Sequence, residues 1–263
     1  MVLVGVLAKV VPEFDALVRV SDDKSKVEVE PKYTVNFFDL LALEEALKIK
    51  ERFGGTVKVF SFCRAEMVET LRSAIAMGAD EVVAITFDGI EIFDNYCRAK
   101  LLAEVIKKEP FDLLWCGRET FDEMEGVTGA MIAEILGYPV VTLVTKVEIF
   151  PQERKVLVER ETDRGKEILK VAMPVLLSAQ KGLNEPRVPT VMGLMKAMKA
   201  KINTVELPVL LQELGTELER MIKMKPISYV PIISSRKRKL LKGEPVEVVK
   251  ELINLLKTEA KVI

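Results

Sequence analysis

An alternation of strand-like and helix-like segments runs through the first half of this 263-residue chain and limits the folds open to it. Apolar, β-branched runs of buried-strand length at 2–7, 57–62, 82–87 and 112–116 alternate with stretches of helical spacing. The first of these helices follows Asn36 and carries Leu40, Leu43, Leu47 and Ile49; others cover about 66–77, 94–108 and 126–136. Gly54, Gly78 and Gly137 close three of them. A helical crossover returns the chain parallel to the preceding strand, whereas an antiparallel hairpin needs only a short turn. The alternation therefore predicts an α/β fold with a doubly wound, mostly parallel sheet.

Past Pro139 the pattern changes. Residues 142–150 and 156–160 are joined by Pro151-Gln152-Glu153-Arg154, and 168–171 follow Asp163-Arg164-Gly165. These read as antiparallel edge strands, with 175–178 a further core strand. A small edge hairpin is expected from 17–20 and 27–29 around Asp22-Asp23-Lys24. Met192, Met195 and Met198 recur at spacing three beside Lys196, Lys199 and Lys201, an amphipathic turn whose methionines are expected to pack into the core. From Leu207, Pro208, Pro226 and Pro231 punctuate the chain before the basic run Arg236-Lys237-Arg238-Lys239. A last helix at about 245–259 gathers Val248, Val249, Leu252, Leu255 and Leu256 on one face. The expected division is an α/β domain over 1–206 and, over 207–263, a C-terminal arm ending in a docking helix.

Composition excludes several function classes. Lys and Arg number 39 against 40 Asp and Glu, so no field of one sign spans the molecule to attract nucleic acid or an anionic membrane. With no histidine, Ser-His-Asp, Cys-His and His-zinc chemistry are all ruled out, as is the histidine-bearing motif of nucleotidyltransferases. Redox chemistry here would need a cofactor. Cys63, Cys97 and Cys116 are odd in number and far apart, which fits reduced thiols. No apolar run reaches signal-peptide or transmembrane form, so a cytoplasmic protein is expected, meeting a membrane only through a partner. High charge of both signs with few Gln fits a thermophile.

Neither G-x-x-x-x-G-K-[ST] nor a G-x-G-x-x-G after the first strand occurs. An open parallel sheet nevertheless binds ligands at the carboxyl ends of its strands, near the point where strand order reverses. The loops after Leu7, Phe62 and Cys116 are such ends. The last runs Gly117-Arg118-Glu119-Thr120-Phe121-Asp122-Glu123-Met124-Glu125-Gly126-Val127-Thr128-Gly129 into a helix whose first amides suit a phosphate. Its carboxylates oppose a bare anion trap, and a capped connection with solvated acids reads the same way. Asn36-Phe37-Phe38-Asp39 likewise reads either as a helix cap with packed rings or as a ligand contact. Trp115 and Cys116 read as core. The run at Arg236 reads as a solvated stretch, or as a surface for an acidic partner or RNA.

Several segments together resemble the electron-transfer flavoprotein beta subunit. The longest runs from Val158-Glu159-Arg160-Glu161-Thr162-Asp163-Arg164-Gly165 through Pro174 to Ser178, departing from the family at Arg164. Asn184-Glu185-Pro186-Arg187, Met195-Lys196-Ala197, residues 36–46 with Phe37 in place of Pro, and residues 74–80 are also similar. The resemblance implies an adenine-nucleotide-binding, Rossmann-like domain that contacts its ligand through Leu7, Ala8, Lys9, Asn36, Phe38, Asp39, Phe62, Cys63, Gly117, Arg118, Glu119, Thr120, Asp122, Glu125, Gly126, Val127 and Thr128. It implies an alpha-subunit partner holding an FAD, with Phe14 facing that flavin and Thr190, Val191 and Met192 docking on redox partners. The family's polar pair before the helix start is replaced here by Gly126 and Val127. That departure points away from AMP and toward the bifurcating branch, in which a second FAD takes hydride from NADH, with ferredoxin or a ferredoxin-like subunit and a quinone oxidoreductase subunit as further partners. AMP in a non-bifurcating subunit is the alternative within the family. A stand-alone adenine-nucleotide sensor, like the universal-stress proteins, is the alternative outside it.

Overall fold

The computed structural model describes residues 1–89, 92–231 and 238–263, so Arg236 and Lys237 of the basic run lie outside the described residues. The chain forms two compact units, Met1–Tyr229 and Val230–Ile263. The first begins with β1 (Val2–Leu7), β2 (Val10–Pro12), β3 (Val18–Val20), β4 (Val27–Val29), β5 (Tyr33–Val35), α1 (Phe37–Phe53) and β6 (Gly55–Arg64). A 3-10 turn (Ala65–Leu71), α2 (Arg72–Met77), β7 (Glu81–Phe87), α3 (Asn95–Ile106), β8 (Leu113–Gly117) and α4 (Thr128–Leu136) follow. Then come β9 (Val140–Phe150), β10 (Lys155–Thr162), β11 (Gly165–Ala172), β12 (Val175–Ala179), α5 (Val191–Lys199), β13 (Asn203–Glu206), α6 (Leu207–Glu213) and α7 (Leu218–Met221).

Among the described residues, nine strands make one sheet in the order β11-β10-β9-β12-β8-β1-β6-β7-β13. All neighbours from β9 to β13 run parallel, and β10 and β11 extend the β9 side antiparallel. This is the doubly wound, mostly parallel fold with antiparallel edge strands that the alternation predicts. Strand β1 lies between β6, which follows it in the chain, and β8, from which the sheet grows the other way. The order therefore reverses at β1, and the carboxyl ends of β1 and β8 border the crevice where such sheets place ligands.

Period-two alternation divides the core between the faces. Val2, Val4, Val6, Val57, Val59, Leu113 and Trp115 face a cluster that takes in the buried side of α1 and α2. Leu7, Phe60, Phe62, Leu114, Cys116 and Leu176 face a second cluster with α3 and α4. A side chain at Gly5 would meet Leu114 at 2.5 Å and the Phe111 ring at 3.2 Å, so the central strand gives up volume there to seat Phe111. Leu207, Leu210, Leu218 and Met221 are buried in the second cluster, and the compact unit accordingly continues through α6 and α7.

Three local expectations change. The stretch at 66–77 divides into the 3-10 turn and a six-residue α2, with Val68 and Leu71 buried by the turn. Strand β13, four residues long and polar at three of them, adds beside β7 without a sequence signal of its own. The third correction concerns the methionines of α5. Met192, Met195 and Met198 are 82%, 56% and 78% exposed, and only Ala197 of that helix is buried. The packed face is instead the small-residue one. A side chain at Gly193 would sit 2.3 Å from the Ala76 carbonyl, and Arg72 Nη1 donates to the carbonyls of Ala197 and Ala200 at 2.6 and 2.7 Å.

The second unit contains α8 (Pro245–Leu255) and a following π-helical turn (Leu256–Ala260). No side chain of either is buried, and Val246, Val249, Leu252 and Ile253 are exposed. No helix among the described residues is long and apolar enough to cross a membrane.

Candidate functional site

The order reversal is fastened by one side chain. Asp39, in the first turn of α1 and 5% exposed, accepts the Lys9 amide on Oδ2 at 2.9 Å and the Gly117 amide on Oδ1 at 2.7 Å. It thereby ties the chain just beyond β1 to the last residue of β8. The approach is close: a Cβ on Gly117 would stand 2.5 Å from Asp39 Oδ1 and 2.6 Å from Phe38 Cβ, so only glycine fits. Burial raises the Asp39 carboxyl to about 6, against the opposing pull of the two amides, Asn36 and the Lys9 charge.

Asn36 precedes α1 and is fully buried. Its amide donates to the Lys9 carbonyl at 2.9 Å, and its Nδ2 donates to the Glu119 carbonyl, also at 2.9 Å. Its Oδ1 is buried with no protein partner. The expected capping role therefore gives way to a bridge between the ends of β1 and β8. Phe38 supports the same loop, with its ring 5.6 Å from Phe121 and 5.2 Å beneath the Arg118 guanidinium. Leu7 and Ala8 are buried beside them.

Three carboxylates of the loop after β8, those of Glu119, Asp122 and Glu123, are held by cations. The Lys9 ammonium, shut off from solvent, pairs with Asp122 at 2.7 Å and with Glu123 at 3.1 Å; these contacts are ionic in character, without well-angled hydrogen bonds. Glu123 also receives a two-pronged contact from Arg98, at 2.6 and 2.8 Å. Burial pushes the Glu123 acid upward, but Arg98 and Lys9 outweigh it and hold the group below the usual carboxylate range. Arg118 reaches Glu119 at 2.7 Å and Gln180 at 3.3 Å.

This loop leads into α4. Asn95 joins the acid cluster to the helix start, accepting from Thr128 Oγ1 at 3.0 Å and donating to Glu125. Thr120 closes a turn through its carbonyl to the Met124 amide at 2.8 Å. Gly126 has φ +64, and a side chain there would meet the Arg118 carbonyl at 2.8 Å. No side chain caps α4, whose preceding residue is Val127, whereas Asp94 caps α3 and Thr190 caps α5. The uncapped first turn of α4 gives this crevice backbone donors suited to a phosphate.

The remaining expected residues lie elsewhere. Phe62 and Cys63 sit near the carboxyl end of β6, on the other side of β1 from Gly117. There Phe62 stacks on Phe87 at 4.6 Å, and burial raises the Cys63 thiol to about 11. Phe14, between β2 and β3, is fully exposed. Thr190 Oγ1 accepts the Gly193 amide at 3.0 Å, and Val191 beside it is 74% exposed. Sequence reasoning missed Arg98 and Asn95, which stand in a helix with no pattern to mark them as buried; Glu123 was visible in the loop, but its partner Arg98 was not.

A family model described as Electron transfer flavoprotein domain matches residues 26–210. The chain is 35% identical to electron transfer flavoprotein subunit beta of Bacillus subtilis over 259 residues, 95% of this chain and 99% of that protein. It is 33% identical to the subunit beta of Mus musculus over 98% of this chain and 97% of that one. It is also 42% identical to the subunit beta of Thermoanaerobacterium thermosaccharolyticum over 64% of each chain. A resemblance that extends over nearly the whole length at this identity, on a sheet whose order reverses between the Asp39-linked strands, assigns the family: the chain belongs to the electron transfer flavoprotein beta subunits.

Proposed function

We propose that this chain is the beta subunit of a heterodimeric electron-transfer flavoprotein of the bifurcating kind, with a second FAD at the crevice beside Asp39 and α4. The observation that carries this reading is a backbone-rich crevice whose cations are already paired. Lys9, Arg98 and Arg118 are already paired with carboxylates, while the first amides of α4 lack a side-chain cap. A phosphate monoester such as that of AMP carries close to two charges at neutral pH and favours a free cation. Each phosphate of FAD carries one, a density that helix amides serve without a cation.

In this reading Asn36, Lys9 and Gly117 shape the adenosine end, and Gly126, Val127 and Thr128 face the diphosphate. Asp39 holds their backbones at the right spacing without touching the reaction. The flavin, when bound, supplies acceptance of two electrons from NADH and their release singly, one toward the alpha-subunit flavin and a quinone-side acceptor, one toward ferredoxin. Phe14 faces the alpha-subunit flavin, Thr190, Val191 and Met192 meet the redox partner, and α8, at the end of the expected 207–263 arm, docks on the alpha subunit. Their exposure supports these roles for Phe14, Val191, Met192 and α8.

Anaerobic titration of the purified heterodimer with NADH tests the reading. Bleaching of the flavin absorbance by NADH alone is the expected result. Flavin that stays oxidised with NADH yet is reduced by an acyl-dehydrogenase type of donor would assign the chain to the AMP-containing, non-bifurcating branch instead.

A further inference from the structure

The crevice beside α4 holds two cations that would ordinarily attract phosphate, and the loop leading into that helix neutralises both with its own carboxylates. Lys9 is engaged by Asp122 and Glu123, Arg98 by Glu123 in two-pronged geometry. The cluster stands at the helix start because Asn95 touches Thr128, Glu125 and Arg98 together. Arg98 is 8% exposed and donates from Nε to the Ile92 carbonyl at 2.7 Å, so it cannot turn to solvent for another partner. We propose that Glu123, with Asp122, is the specificity-determining element of the site: a built-in anion that rejects phosphate monoesters and admits only phosphodiester or diphosphate-diester nucleotides. This rests on the reading of the crevice as an adenine-nucleotide site.

Charge number decides which phosphate the cluster tolerates. The two cations Lys9 and Arg98 stand against three carboxylates, Asp122, Glu123 and the Asn95-linked Glu125, so one net negative charge at the mouth of the helix opposes the attraction of the backbone amides. An incoming group then feels repulsion from the carboxylates in proportion to its own charge. A monoester near two charges suffers about twice the penalty, in logarithmic terms, of a singly charged diester. Removing one carboxylate charge frees cationic attraction, and the gain should follow the same ratio.

The test compares adenosine 5′-monophosphate with its methyl ester, which keeps the adenosine and the phosphorus but carries one charge fewer. Binding to the full chain, freed of endogenous nucleotide, is measured by calorimetry at about pH 8, where the monoester is doubly charged. Wild type is expected to prefer the methyl ester. Glu123→Gln is expected to tighten AMP by about tenfold and the methyl ester by about threefold, the square-root ratio that a charge effect demands. Asp122→Asn, which leaves the Arg98 contact intact, is expected to act in the same direction if Glu123→Gln does not fold. Equal gains for both ligands, no gain for either, or a wild-type preference for AMP would overturn the assignment of Glu123 while leaving the nucleotide site standing. Failure of both ligands to bind wild type and variants would overturn the nucleotide reading itself.

Discussion

Replacing Asp39 by Asn isolates the charge of the side chain that joins β1 to β8. The substitution keeps shape but leaves one acceptor where there were two, so the amide of Lys9 or of Gly117 faces an NH2 group in a site 5% exposed. A buried donor left without acceptor costs about 1–3 kcal/mol. The pH dependence runs the other way from that of an ordinary ion-paired acid. Burial raises the folded-state value from 3.8 to about 6, so the folded chain binds the proton more tightly than the unfolded one. The stability Asp39 contributes is therefore full below about pH 4 and declines by about 3 kcal/mol as pH rises through about 6. The asparagine lacks this decline. Paired urea unfolding of wild type and Asp39→Asn across the range about pH 4 to 7 reads the difference, in which other titrating groups cancel. Wild type should be clearly the more stable at the acid end, and the gap should close toward neutrality. A gap that is constant, or that widens with pH, would show that the two amides hold the carboxylate charged and would refute the burial argument.

Gly117→Ala should lower the melting temperature at a cost of about 1–3 kcal/mol, because the new methyl meets Asp39 Oδ1 at 2.5 Å and Phe38 at 2.6 Å; a neutral result would mean that the strand end moves freely. Arg187→Ala should cost about 3–5 kcal/mol by denaturant unfolding. It strands Glu44, whose side chain is 4% exposed and which Arg187 contacts at 2.8 and 3.0 Å, and Glu44→Gln added to it should recover part of the loss. All three thiols should resist iodoacetamide at about pH 8 in the folded chain and react on unfolding, since burial raises Cys63 and Cys97 to about 11 and Cys116 further.

The parallel core was legible because its signal is local: apolar runs of strand length, helical spacing and closing glycines recur in register with the physical elements. The loops at the ends of β1 and β8 were legible for the same reason, as strand ends before a helix start. Pairings across long sequence distance were not. Asp39 reaches Gly117 over 78 residues and Arg187 reaches Glu44 over 143, and nothing in either segment alone announces the other. Arg98 reads as an ordinary helical Arg, and only the fold shows that it is buried against Glu123. The methionines of α5 misled because helical spacing gives a face without saying which face is covered. Gly193 and Ala197, small enough for close helix contact, decided that question.

Identifying the nucleotides released when the purified heterodimer is denatured tests whether a second flavin occupies the crevice. Two FAD per heterodimer and no AMP are expected. One FAD with an equal amount of AMP would contradict it, and a stable monomer that retains ATP and no flavin would contradict the electron-transfer role as well.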